Sequence, residues 1–272
     1  MDARLQRRVQ RYGWDLAAAD YEPLWREALA PAQRSLLQGA ALAPGERVLD
    51  VACGTGLLSL DAALAVGATG SVLGVDLSGA MVDAATAAAR AAGVANASFA
   101  RMDAEQLALP DAAFDLALCG LGLMYLPDPR QALREMRRVL RPGGRVALAV
   151  WGERARCGWA ALFAIVDAEV ASEVCPLFFG LGQGEALAHD CAAAGFDALV
   201  TQRIAAPLHY ASAAAACDAA FVGGPVALAW SRFDAATRQR VRDRYLQAIE
   251  PWREGAGYRL PAEFVVVTGA RG

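Results

Sequence analysis

At 272 residues the chain is long enough for one large α/β domain with a smaller cap, and its 56% hydrophobic content, much of it alanine, supports a sizeable core. A net charge of −3 leaves no electrostatic footprint for nucleic acid or an anionic membrane surface. All 26 basic residues are arginine, which fits a GC-rich bacterial coding bias and excludes Schiff-base chemistry on a lysine.

In chain order, Arg4, Arg7, Arg8 and Arg11 are followed by no apolar run, so no signal peptide is expected. Residues 1–44 read as an amphipathic helical cap, a helix pair with aromatic anchors at Tyr12, Trp14, Tyr21 and Trp25, ended by the turn Pro44-Gly45. Strands and helices then alternate. Strands are predicted at Arg47–Cys53, Ser71–Leu77, Asn96–Met102, Phe114–Gly120 and Arg145–Trp151, with helices over Gly56–Val66, Gly79–Ala92 and Pro129–Leu140. Such alternation implies βαβ units and a parallel sheet covered on both faces.

Past Trp151 the pattern predicts a helix over Cys157–Ser172, a glycine-containing loop at Phe178–Gly184 and a helix at Glu185–Ala194. A strand Ala198–Tyr210, interrupted at Pro207, follows. Helices near Ser212–Phe221 and Ala235–Glu250 then precede a last strand, Glu263–Thr268. The weakly charged stretch 204–231 is too interrupted to span a bilayer. The six cysteines form no C-x-x-C pair and read as reduced core thiols, with no zinc site, in a cytoplasmic protein.

The stretch Val48-Leu49-Asp50-Val51-Ala52-Cys53-Gly54-Thr55-Gly56 carries the functional signal. A glycine turn lets the backbone approach a ligand, and the next helix presents free N–H groups. A dinucleotide site would use the same device, but Ser59 stands where its third glycine would be. Asp50 would repel a pyrophosphate yet could help hold a cationic ligand. Asp76, at the end of the next strand, can accept both ribose hydroxyls. Asp103 could accept the adenine amino group with Met81 and Met102 flanking the ring, or cap a short helix at Ala104–Leu107.

VLDVACGTG, GVDLS, RMDAEQLALPDAAFD and LRPGGRVALAVWG resemble, in order and spacing, the motifs of class I S-adenosylmethionine (SAM)-dependent methyltransferases, in particular the UbiE-like, type 11 group. The resemblance spans residues 47–152. It implies a Rossmann-like seven-stranded sheet of order 3-2-1-4-5-7-6 with its last strand antiparallel, and a helical lid. In that case 45–152 is the SAM-binding core, and 153–272 completes the sheet and adds lid helices. It also implies roles for Asp50 and Gly54 near the methionine moiety, Asp76 on the ribose, Asp103 and Ala104 at the adenine and the Cys119 backbone near the cofactor, with S-adenosylhomocysteine as product; Tyr21, Ala52, Thr55, Gly56, Leu77, Met81 and Met102 complete the candidate cofactor site. This family often carries histidine or asparagine after the fourth strand; here the loop reads GLGLMYLPD, so Tyr125 takes that place or the loop lines an apolar pocket.

Methyl transfer needs in-line positioning more than a general base. The candidates for a base or phenolic donor are His209, expected at the cofactor side of the sixth strand, Tyr125 and Tyr21. His189, mid-helix, is expected to be structural. Tyr21 or Trp14 is expected to close over the cofactor. Trp151, Trp159, Phe163, Phe178, Phe179, Phe221 and Trp230 suggest a lid over an apolar or aromatic small molecule, or simply the lid's own core. The competing readings are an NAD-dependent oxidoreductase and a non-catalytic SAM-binding module. Arsenic methylation through Cys157, Cys175, Cys191 and Cys217 is disfavoured by their irregular spacing. Nothing in the sequence specifies an oligomeric state.

Overall fold

The computed structural model describes residues 3–170, 175 and 177–272. The first element is one helix, α1 (Ala3–Ala40), in place of the expected pair. It continues through Pro23 and Pro31, each of which removes one intrahelical hydrogen bond. Tertiary contacts offset that loss: Trp25, Leu29, Ala32, Leu36 and Ala40 recur every three or four residues and are all buried. This stripe packs α1 across β5 and β10 of the central sheet, whose ranges follow.

The Rossmann-like core alternates β1 (Arg47–Val51), α2 (Leu57–Val66), β2 (Ser71–Asp76), α3 (Gly79–Ala91), β3 (Ala97–Arg101), β4 (Phe114–Gly120), α4 (Pro129–Val139) and β5 (Leu140–Trp151). The later elements are α5 (Ala161–Val170), α6 (Ala186–Ala193), β6 (Phe196–Ala205), β7 (Leu208–Tyr210), α7 (Ala213–Phe221), α8 (Ala227–Arg232), α9 (Ala235–Ile249), β8 (Arg253–Glu254), β9 (Gly257–Leu260) and β10 (Glu263–Arg271). The last two residues of the helix expected over 157–172 lie outside the described residues, and its start is a short 3-10 segment, Gly158–Ala160.

Seven strands form one sheet in the order β3-β2-β1-β4-β5-β10-β6, with β10 antiparallel to both neighbours and the pairs from β3 to β5 parallel. The pleat divides its side chains between two cores. Leu116, Leu118, Ala147 and Ala149 meet α2 and the end of α1, whereas Ala117, Cys119, Leu148 and Val150 belong to the larger cluster on the other face. Chain direction across the sheet reverses at β1, which pairs with β2 on one side and β4 on the other. A crevice opens at the carboxyl ends of strands at such a point.

The expected strand 198–210 divides. Pro207 has no N–H to continue a ladder, so β6 ends at Ala205, and β7 joins β9 and β8 in a separate three-stranded antiparallel sheet. No described helix is long and apolar enough to cross a membrane.

Candidate active site

The turn after β1 is built from backbone in the left-handed region. Ala52, Gly54 and Gly56 have φ of 55°, 54° and 86°. For Ala52 this is a strained conformation, held by the fold around it. Cys53 N donates to Val75 O at 3.0 Å, which ties the turn to β2, and Gly56 then starts α2.

Asp76 organises the next layer. Its Oδ2 accepts from Gly54 N and its Oδ1 from Ser78 N, both at 2.9 Å. Burial raises its pKa while these hydrogen bonds oppose the shift. Ser78 caps α3 and donates through Oγ to Asp15 of α1 at 2.6 Å. The long helix is thereby latched over the turn.

Asp50 lies beneath the turn and is 1% exposed. Ser59 Oγ donates to its Oδ2 at 2.5 Å, while Oδ1 is buried without a partner among the described residues. Burial, opposed by Ser59 and reinforced by Asp76, lifts the Asp50 pKa to about 7. An unpartnered buried carboxylate oxygen favours an incoming positive charge.

A mostly apolar cavity of about 100 Å³ opens above these residues. One end is lined by Gly54, Asp76, Leu77, Met81, Met102, Asp103 and Ala104, the other by Trp25, Leu29, Trp151, Trp159, Gly224 and Pro225. Ala52, Tyr21 and Tyr125 also line it. Asp50, Thr55, Gly56 and Cys119 do not; they support the turn and the wall from behind. Burial pushes the Cys119 thiol up to about 12, and Gly120, Leu121 and Gly122 form the surface above it. Leu121 adopts φ 64°, a second strained residue beside the cavity. Asp103 does not cap a helix. Its Oδ1 accepts from Glu105 N at 2.9 Å within a turn bridged to Gln106.

The catalytic candidates separate. His209 is exposed on β7, opposite Arg259 in the small sheet and away from the cavity, because that strand leaves the main sheet at Pro207. His189 is exposed on α6. Tyr125 and Tyr21 flank Trp14 edge-on, with ring centroids 5.0 and 5.7 Å away. Desolvation raises both phenols, so they remain protonated donors at neutral pH. Among the described residues no group of three His, Cys, Asp or Glu could hold a metal, and all six cysteines are free and buried.

Four contributors are not among the predicted site residues. Arg7 reaches from α1 to ion-pair with Asp103 at 3.6 Å and with Glu105. Gln10 lines the cavity, Ser59 holds Asp50, and Gly122 packs so tightly that a Cβ there would stand 2.4 Å from Ala52 Cβ. Only Ser59 carried a local signal, as the residue in place of a third fingerprint glycine.

A seven-stranded sheet of this order, with an acid-bearing glycine turn at its switch point, defines a class I SAM-dependent methyltransferase fold. Residues 48–144 match the family described as "Methyltransferase domain". The chain is 36% identical over 134 residues to aklanonic acid methyltransferase DauC of Streptomyces sp. (strain C5), covering 49% of this chain and 61% of that one. It is 37% identical over 133 residues to the ubiquinone/menaquinone biosynthesis C-methyltransferase UbiE of Ectopseudomonas mendocina, covering 48% and 49%. The chain therefore spans about half the length of the curated relatives it matches. In fold it is similar to the YcgJ protein of Bacillus subtilis, with a TM-score of 0.62 at 20% identity over 89% of this chain and 98% of that one. Residues 48–144 are thus similar to methyltransferase domains, and the cofactor that this similarity implies is S-adenosylmethionine.

The residues present fit that cofactor. Two carboxylates and a thioether-lined shelf suit a nucleoside, and the orphaned Asp50 oxygen suits a cation. At Gly54 a Cβ would enter the cradle 3.9 Å from Tyr21.

Proposed function

We propose that this protein transfers a methyl group from SAM to a small, apolar or aromatic acceptor. The observation that carries the reading is one cavity with two chemically distinct ends, acidic at β2 and β3 and indole-lined at β5. SAM, when bound, supplies an electrophilic methyl on a sulfonium. In this reading Asp76 holds the ribose hydroxyls, Asp103 and Ala104 face the adenine, and Met81 and Met102 flank it. Ala52, Gly54, Thr55, Gly56 and Cys119 shape the turn and wall, and Asp50 supplies negative charge below. Tyr21 and Trp14 close the cavity and exclude water. Tyr125 donates from its protonated phenol.

The names of the relatives support the acceptor class, an aklanonic acid in one and a quinone pathway in the other. Holding methyl and acceptor in line is worth ~7–11 kcal/mol, so a protein whose histidines both lie outside the cavity can still be an effective catalyst. Residues 45–152 act as the SAM core, 1–44 as the cap and 153–272 as the remaining sheet and lid. We place the protein in the cytoplasm, without nucleic-acid or membrane partners.

Isothermal titration with SAM, S-adenosylhomocysteine and NAD tests the reading, followed by mass detection of methylated product from an aromatic and quinone-like panel. Micromolar SAM binding and turnover are expected. Binding of NAD in place of SAM would hand the site to an oxidoreductase, and SAM binding without turnover on any acceptor would leave a binding module.

A further inference from the structure

The indole-lined end of the cavity is built from three separate parts of the chain: Trp25 from the middle of α1, Trp151 from the end of β5, and Trp159 from the turn before α5. Their rings meet pairwise, with centroids 6.1 Å apart for Trp25 and Trp151, 6.1 Å for Trp25 and Trp159, and 4.7 Å for Trp151 and Trp159. All three line the cavity.

Packing alone does not account for them. Trp25 Nε1 and Trp159 Nε1 are both buried, and neither has a hydrogen-bond partner among the described residues. A buried indole N–H without an acceptor costs about 1–3 kcal/mol, a cost that phenylalanine in the same places would avoid. Edge-on contact with a neighbouring ring offsets only a small part of it. Two such donors, in contacting rings that line one cavity, point to a ligand atom that accepts from them. The walls around them (Leu29, Leu121, Pro225) are apolar, and the acids that line the cavity among the described residues, Asp76 and Asp103, sit at its other end.

Accepting the cofactor placement above, we propose that Trp25 and Trp159 select the methyl acceptor by donating their indole N–H groups to an oxygen on its planar, apolar body. The acceptor class is then a phenol, quinol or aryl ketone. An unoxygenated arene leaves both donors unpaired, and an amine cation meets N–H dipoles of the wrong sign, with no carboxylate at that end among the described residues.

The test is binding of 2-naphthol, naphthalene and 1-naphthylmethylamine by equilibrium dialysis, with and without S-adenosylhomocysteine, to the wild type and to Trp25→Phe and Trp159→Phe. Wild type should prefer 2-naphthol over naphthalene by about tenfold for each hydrogen bond made. Each Phe variant should lose about that factor for 2-naphthol and leave naphthalene unchanged. In ¹H–¹⁵N spectra of the wild type, 2-naphthol should move the Nε1–H resonances of both tryptophans downfield, a readout independent of how the variants fold. No binding of 2-naphthol, equal affinity for 2-naphthol and naphthalene, unshifted indole resonances, or stronger binding of the amine would overturn the proposal. Selective 2-naphthol binding without any S-adenosylhomocysteine binding would keep the subsite and sink the cofactor reading instead.

Discussion

Ser59 donates a 2.5 Å hydrogen bond to Asp50 from the first turn of α2, directly beneath the glycine turn. The residue that breaks the dinucleotide fingerprint is thus the residue that holds the buried acid. Ser59→Ala removes that bond and leaves both oxygens of Asp50 without one. We expect a loss of about 1–3 kcal/mol in stability, read by urea denaturation, with the Asp50 pKa moved further up. An unchanged midpoint would mean that the bond contributes nothing net.

Asp50 makes stability fall as pH rises. Its folded pKa of about 7 lies above the ordinary 3.8, so the folded state binds the proton more tightly than the unfolded chain. The contribution is fully present below the ordinary value and is lost as pH climbs through about 7. Asp76, also raised by burial, acts in the same direction. The ligand-free protein should therefore melt at a higher temperature at pH 5 than at pH 8, and Asp50→Asn should flatten that slope. A slope of the opposite sign would assign the pH dependence to other groups.

Asp76 binds the turn and, in the proposed reading, the ribose. Asp76→Ala should weaken SAM and S-adenosylhomocysteine by about 50-fold or more, since two charge-assisted hydrogen bonds are lost. Calorimetry would show the decrease in both ligands alike. A variant that still binds both at wild-type affinity would remove Asp76 from the cofactor site.

Gly122 has room for nothing larger. An added Cβ would lie 2.4 Å from Ala52 Cβ and 3.0 Å from Cys119 Sγ, so Gly122→Ala must push the β4 loop away from the strained Ala52 turn. Overpacking of this kind costs about 1–3 kcal/mol and should lower cofactor affinity together with the melting temperature.

Arg7 ties the start of α1 to Asp103 and Glu105. Arg7 is about a third exposed, so Arg7→Gln should change global stability by less than about 1 kcal/mol. It should nevertheless speed tryptic cleavage after Arg8 and Arg11, because the cleaved turns lose their anchor. S-adenosylhomocysteine should slow that cleavage again if α1 closes over the cofactor.

The core of the sheet was readable because its signals are local. Apolar runs such as Val146–Val150, the Pro129 start of α4 and the glycine turn at Gly54 each specify their own element within a few residues. The acids at the ends of β1, β2 and β3 could be placed around one crevice from strand order alone. Asp76 and Asp103 do line the cavity, while Asp50 lies under it.

Local patterns specify an α/β sheet with an acid-bearing turn at its centre, because period-two and period-3.6 spacing and glycine backbone freedom depend on neighbours in the chain. Contacts between residues distant in the chain account for the rest, through the fold they build. It carried α1 unbroken through Pro23 and Pro31, since burial against the sheet offsets the lost hydrogen bonds. It moved His209 to a second sheet, since β7 finds its partner nearly fifty residues later in β9. It also brought Trp25, Trp151 and Trp159 together at one end of a cavity, a contact spanning 134 positions that no local pattern encodes.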